Sequence, residues 1–126
     1  MWLRDVTIEA VAAYNVGKHF HPKANAWIGA VVTIEGKRIY YAGDTDLIEE
    51  MKGLQDVDVA LLPIGGKFTL DAEEGALACK AIGCHSVIPY HWGDIIGSQK
   101  DADTFAANVD CCDVHVLLPG ESMTVA

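Results

Sequence analysis

Two residues in this sequence carry side chains suited to a divalent metal and stand where a fold could use them: Asp44 and His91. Asp44 lies in the turn Gly43-Asp44-Thr45, directly after the strand-like segment Arg38 to Tyr41. His91 follows a second such segment that ends in Pro89-Tyr90. Carboxylate oxygen and imidazole nitrogen hold zinc and similar ions while leaving a coordination position for water. Open α/β sheets present their sites just beyond the carboxyl ends of strands, which is where both residues fall. Each also has a plainer reading, Asp44 as a turn or cap residue and His91 as a hydrogen-bonded strand-end histidine. The four cysteines, Cys79, Cys84, Cys111 and Cys112, lack zinc-finger spacing, and the adjacent Cys111-Cys112 pair would make a strained disulfide. They read as reduced thiols, mostly buried as small hydrophobes.

The elements that must position Asp44 and His91 can be read from periodicity and turn signals. Val6 to Tyr14 partly alternates apolar and polar residues, as a strand with one covered face does. A turn-rich loop from Asn15 to Asn25 follows, holding His19, His21 and Pro22. Trp27 to Glu35 and Arg38 to Tyr41 form a hairpin around Gly36-Lys37. Leu47 to Lys52 reads as a short helix with Thr45 or Asp46 as its N-cap. Val57 to Ile64 is a nearly continuous apolar run, as expected of a strand buried on both faces.

Asp71 to Ile82 is Ala-rich, acidic in its first turn and followed by Gly83, which together make a helix. His85 to Tyr90 is a strand, Lys100 to Val109 a helix, Val114 to Leu118 a strand, and Ser122 to Val125 a final strand after the turn at Pro119-Gly120. The alternation predicts an α/β fold, a mixed sheet with helices on one face.

Bulk properties narrow the function classes. The chain has 126 residues, enough for one domain spanning 1–126, with 51% hydrophobic and 21% charged residues, an ordinary globular balance. Its formal charge of −9 repels a phosphate backbone, and no Lys/Arg cluster offsets this locally, so nucleic acid is excluded as a partner. No apolar run is long enough to span a bilayer, and Met1-Trp2-Leu3-Arg4-Asp5 has no signal-peptide pattern. A cytoplasmic protein that does not engage membranes is expected.

Six segments occur in order: Tyr14-Asn15, His21-Pro22-Lys23, Trp27-Ile28-Gly29, Ile39 to Asp46 (Ile-Tyr-Tyr-Ala-Gly-Asp-Thr-Asp), Leu62 to Gly66 (Leu-Pro-Ile-Gly-Gly) and Ile88 to Gly93 (Ile-Pro-Tyr-His-Trp-Gly). The series resembles the metal-dependent hydrolases of the metallo-β-lactamase superfamily, specifically a small cytoplasmic branch similar to the ascorbate-phosphate lactonase group. The likeness runs from about Val6 to Leu118 and includes Ile95-Ile96-Gly97-Ser98. It implies half of a four-layer αββα sandwich, the C-terminal half of two related by a pseudo-two-fold axis. It also implies that Asp44 is a carboxylate bridging two metals and His91 the last histidine of the second metal site, with zinc or another divalent ion as cofactor.

The family's main ligand motif, His-x-His-x-Asp-His, belongs to an N-terminal half this sequence does not contain. His19-Phe20-His21 has no Asp-His after it and is not that motif. Asn15 stands where many relatives place a further histidine ligand. His21 is a candidate third ligand, His21 and Asn15 are candidates to position substrate, and Lys67 either meets an anionic group or is solvated surface. A lone half would bare the sheet face that normally packs on the other half, and apolar patches of that size are rare on soluble monomers, so a cover is expected. Homodimerisation or a separate polypeptide carrying the N-terminal half would cover it. Two functions are therefore expected as alternatives. One is a metal-dependent hydrolase of an ester, lactone or phosphoester completed by a partner or symmetry mate. The other is a non-catalytic dimeric binding module retaining vestigial ligands.

Overall fold

The structure, a computed structural model, describes residues 5–16, 22–66, 69–92 and 99–125. Six strands form one sheet in sequence order: β1 (Val6–Ala12), β2 (Ile28–Ile34), β3 (Lys37–Tyr41), β4 (Val59–Pro63), β5 (Ser86–Tyr90) and β6 (Asp113–Val114). β1, β2 and β3 are antiparallel neighbours, and β3 through β6 run parallel. The β2–β3 hairpin turns on Glu35 and Gly36, both with positive φ, one residue earlier than the expected Gly36-Lys37. A two-residue turn of that kind matches the right-handed twist of the flanking strands.

Two helices lie on one face, α1 (Ala72–Ile82) and α2 (Gln99–Asn108). α1 starts with a capping box in which Asp71 accepts from the Glu74 N–H and Glu74 accepts from the Asp71 N–H; it ends at Gly83 in the left-handed conformation. Gly75 lets the two helices approach, since a Cβ there would lie 2.9 Å from the Phe105 ring.

Register sorts the sheet into two unlike faces. Val31, Tyr40, Ala60, Val87 and Val114 are successive cross-strand partners and so share a face. The first four are fully buried, in one core with Met51, Ala78, Ile82 and Phe105. On the opposite face the partners Ile8, Val32 and Ile39, and likewise Ala10, Ala30, Tyr41, Leu61 and Ile88, make an apolar surface with no helix over it among the described residues. Ile8 is 68% exposed and Ile28 61%. Met123 to Val125 line a hollow with Val59 and Ser86 at one corner of this face.

Three expected elements differ. The helix after Asp46 is a 3-10 turn over Glu49–Gly53 with Ile48 at its N-cap position and no side-chain cap. Thr45 and Asp46 do not cap it because both are engaged elsewhere: Tyr14 N–H donates to Thr45 Oγ1 (3.0 Å) and Val16 N–H to Asp46 Oδ2 (2.7 Å). The expected strand Val114 to Leu118 shrinks to Asp113–Val114, and residues 122–125 are in no strand. The chain turns away at Pro119-Gly120, where the Leu118 N–H is taken by the Glu121 carboxylate (2.7 Å). Among the described residues no helix is long and apolar enough to cross a membrane.

Candidate functional site

The parallel strands β3, β4 and β5 end side by side, so the loops that leave them converge. Leu62 and Pro63 of β4 pair with Pro89 and Tyr90 of β5, and Tyr41 of β3 pairs with Leu61. At the ends of β3 and β5 stand Asp44 and His91, with His91 Nδ1 3.5 Å from Asp44 Oδ1. Both side chains reach solvent, 31% for His91 and 49% for Asp44, so the pair opens outward instead of closing a core polar network.

Several features fix these two loops. Gly43 has φ +72, and a Cβ there would press on the Ile28 carbonyl at 3.1 Å, so glycine is required just before Asp44. The Tyr90 hydroxyl donates to the Gly43 carbonyl, tying the end of β5 to the turn that carries Asp44. Tyr41 and Tyr90 stack with ring centroids 5.3 Å apart. Burial drives the Tyr90 phenol well above its ordinary range, which keeps it a neutral donor at physiological pH. The Trp92 indole N–H donates to the Pro89 carbonyl at 3.1 Å, securing the chain beyond His91. His91 itself has φ +62, a left-handed conformation that costs a non-glycine residue about 1–3 kcal/mol and is found where a site dictates it.

Behind Asp44, the hydroxyl of buried Thr45 donates back to the Tyr14 carbonyl (3.0 Å), the Asp46 N–H donates to the same carbonyl (2.9 Å), and Leu70 N–H donates to the Thr45 carbonyl (2.8 Å). Asn15 is buried between Tyr14 and Val16, both bound to this turn. The structure brings Asp44, His91 and the Asn15 segment to the same end of the sheet. His21 and Lys67 lie outside the described residues, as does Ile95 to Ser98.

Donor spacing offers a test of whether a metal fits. Donors about 2.1 Å from a tetrahedral zinc are about 3.4 Å apart. The Asp44–His91 separation matches one edge of such a site, and it is too long for a strong direct N–H···O bond. The pair fits as part of a ligand set. Among the described residues no third His, Cys, Asp or Glu joins it within coordinating reach.

The sequence reading missed one grouping. Cys79, Cys84 and Cys112 have their sulfurs within 4.8 Å of one another at the opposite, amino-terminal end of the parallel strands. No spacing rule signals it, since the third member comes from a different element. Cys79 and Cys84 are buried, as expected, whereas Cys111 is exposed and Cys112 partly so.

The mixed sheet with two helices on one face is the fold of metallo-β-lactamase-type structures. Residues 3–92 match the family model described as the β-lactamase superfamily domain. The chain belongs to the β-lactamase superfamily. It is 43% identical over 115 residues to a UPF0173 metal-dependent hydrolase of Symbiobacterium thermophilum, covering 84% of this chain and 51% of the relative. Among solved structures, a Parabacteroides distasonis chain matches with TM-score 0.78 and 34% identity, over 88% of this chain and 50% of its own. Igni18, a metallo hydrolase from Ignicoccus hospitalis, matches with TM-score 0.75 and 32% identity, over 92% and 51%. The chain spans about half the length of the relatives it matches.

Proposed function

We propose that this chain contributes Asp44 and His91 to a divalent-metal centre that hydrolyses an ester, lactone or phosphoester, and that the remaining ligands come from the segment its relatives carry and this sequence does not. The observation that carries this reading is the Asp44–His91 pair, set one coordination edge apart at the carboxyl ends of adjoining parallel loops. The names of the relatives as metal-dependent hydrolases support the class of reaction. A catalytic zinc takes about three protein ligands and a water, so two are insufficient. An ion held in part by Asp44 and His91 would supply Lewis-acid chemistry, polarising the scissile group and lowering the pKa of a bound water.

The chain's own residues do the positioning. Tyr90 holds the Gly43 carbonyl and so aims Asp44, while the Trp92 bond to Pro89 orients the His91 segment. Zinc is the metal we favour because the donors are imidazole and carboxylate. His21, Asn15 and Lys67 are the residues proposed to meet substrate.

The bare apolar face supports the same arrangement. Its occupant is the complementary half, because the relatives are about twice as long as the region they share with this chain. A homodimer about this face is the alternative, and it favours the reading as a non-catalytic binding module.

The test is complementation. This chain is mixed with a separate polypeptide comprising the part of the Symbiobacterium relative that it does not cover, and zinc-dependent hydrolysis of p-nitrophenyl esters, a γ-lactone and bis-p-nitrophenyl phosphate is followed. Hydrolysis that needs both polypeptides and disappears with Asp44→Ala supports the reading. A zinc-loaded complex inactive on every substrate, or activity unchanged in Asp44→Ala, contradicts it.

A further inference from the structure

The thiols of Cys79, Cys84 and Cys112 come together for reasons of local structure. Cys79 sits in the last turn of α1, where its carbonyl accepts from the Gly83 N–H (2.9 Å). Gly83, in the left-handed conformation, reverses the chain and returns Cys84 beneath that turn. Cys84 then leads into β5. Cys112 leads into β6, the parallel neighbour of β5, with Ser86 opposite Asp113 and the Asp113 N–H bonded to the His85 carbonyl. One helix end and two adjoining strand starts therefore deliver three sulfurs to one point.

The spacing suits a metal. Sulfurs about 2.3 Å from a tetrahedral zinc are separated by about 3.8 Å. Cys84 Sγ and Cys112 Sγ are 3.8 Å apart, and all three sulfurs lie within 4.8 Å. The carboxyl end of α1 concentrates partial negative charge, which favours a cation there.

We propose that Cys79, Cys84 and Cys112 form a thiolate site for a soft divalent metal of the zinc class, separate from Asp44 and His91 and serving to pin the short edge strand β6 to the end of α1. The two sites lie at opposite ends of β5, about 20 Å apart by strand rise. The cysteine site does not depend on the hydrolase reading. In the metal-free chain the hydrogen bond from Cys79 lowers the Cys84 thiol below the ordinary thiol range, against its burial. Burial raises Cys112 to about 12, so metal uptake must release protons.

The probe is cobalt(II), added to the reduced, chelator-treated chain and followed by the near-ultraviolet sulfur-to-cobalt charge-transfer band. One equivalent should bind with an intensity corresponding to at least three thiolates. Zinc should displace it, protect the thiols from a disulfide reagent and raise the unfolding temperature. Cys112→Ser, at a partly exposed position that tolerates serine, should weaken the band at least tenfold in affinity with an unchanged far-ultraviolet dichroism spectrum. The double variant Asp44→Ala, His91→Ala should retain it. No charge-transfer band in the folded, reduced chain overturns the proposal. So does a band that survives both Cys112→Ser and Cys84→Ser, or closure of Cys84 and Cys112 into a disulfide with no cobalt uptake after reduction.

Discussion

His91 Nδ1 stands 3.5 Å from Asp44 Oδ1 across the carboxyl ends of β5 and β3, although 47 residues separate them in the chain. Neither residue's own segment could produce that approach. It follows from β4, which lies between β3 and β5 and holds both in parallel register, and from the Tyr90 hydroxyl on Gly43.

Tyr90→Phe removes that tie while keeping the ring and its stack on Tyr41. The expected effect is a loss of about 1–2 kcal/mol in stability from the abandoned carbonyl. In the complex with the complementary polypeptide, zinc affinity at the site that includes Asp44 and His91 should fall about tenfold, the usual penalty for losing an orienting partner. Calorimetry of the variant beside the parent checks both, and equal zinc affinity would mean Tyr90 has no positioning role.

Gly29→Ala should disturb the same region from the other side. A Cβ at Gly29 would lie 2.4 Å from the Tyr41 carbonyl oxygen and 2.7 Å from that of Ala42, both backbone atoms that cannot swing aside. Destabilisation of at least about 2 kcal/mol is expected, read from the denaturant midpoint. A neutral result would mean that β3 does not run this close to β2.

The Tyr14 hydroxyl donates to Glu50 at 2.7 Å, with Lys23 3.6 Å from the same carboxylate. The hydrogen bond to Glu50, then burial and the Glu50 and Glu49 charges, raise the Tyr14 phenol from 10.0 to about 12, and the same hydrogen bond lowers Glu50. The Glu50 contribution to stability is therefore present above the ordinary glutamate range and is lost as pH falls through the lowered value; that of Tyr14 is present below pH 10 and is lost as pH rises towards about 12. In Glu50→Gln the Tyr14 ring carbon shifts followed by NMR should titrate closer to pH 10. A midpoint still near 12 would assign the shift to another cause.

The bare sheet face should be adhesive. The parent chain is expected to bind an apolar dye and to self-associate in sedimentation velocity, and Ile8→Glu with Ile28→Glu should suppress both. Because these side chains are 68% and 61% exposed, stability should change by no more than about 1 kcal/mol. A parent chain that stays monomeric and dye-free would show that the face needs no cover.

Much of this architecture was legible in the residues. The helix at Asp71 to Ile82 is announced by its acidic first turn and by Gly83, and the buried strand at Val59–Pro63 by an unbroken apolar run. The position of Asp44 and His91 past strand ends follows from the same reading. The 3-10 turn at Glu49–Gly53 was not legible, because Thr45 and Asp46 look like caps until the Tyr14 segment, about 30 residues away, claims them. The left-handed backbone at His91 leaves no mark in a sequence without glycine there. The cysteine grouping was hidden for a similar reason: Cys112 joins Cys79 and Cys84 only through pairing of β5 with β6.

The most direct test of the central claim is a calorimetric count of zinc bound by the chelator-treated complex of this chain with the complementary polypeptide, beside the same complex built on the Asp44→Ala, His91→Ala double variant. The account predicts that the double variant loses one zinc equivalent while any zinc held by the cysteines remains. Equal stoichiometry and affinity in the two complexes would contradict it, and Asp44 and His91 would then be a turn carboxylate and a strand-end histidine in loose contact.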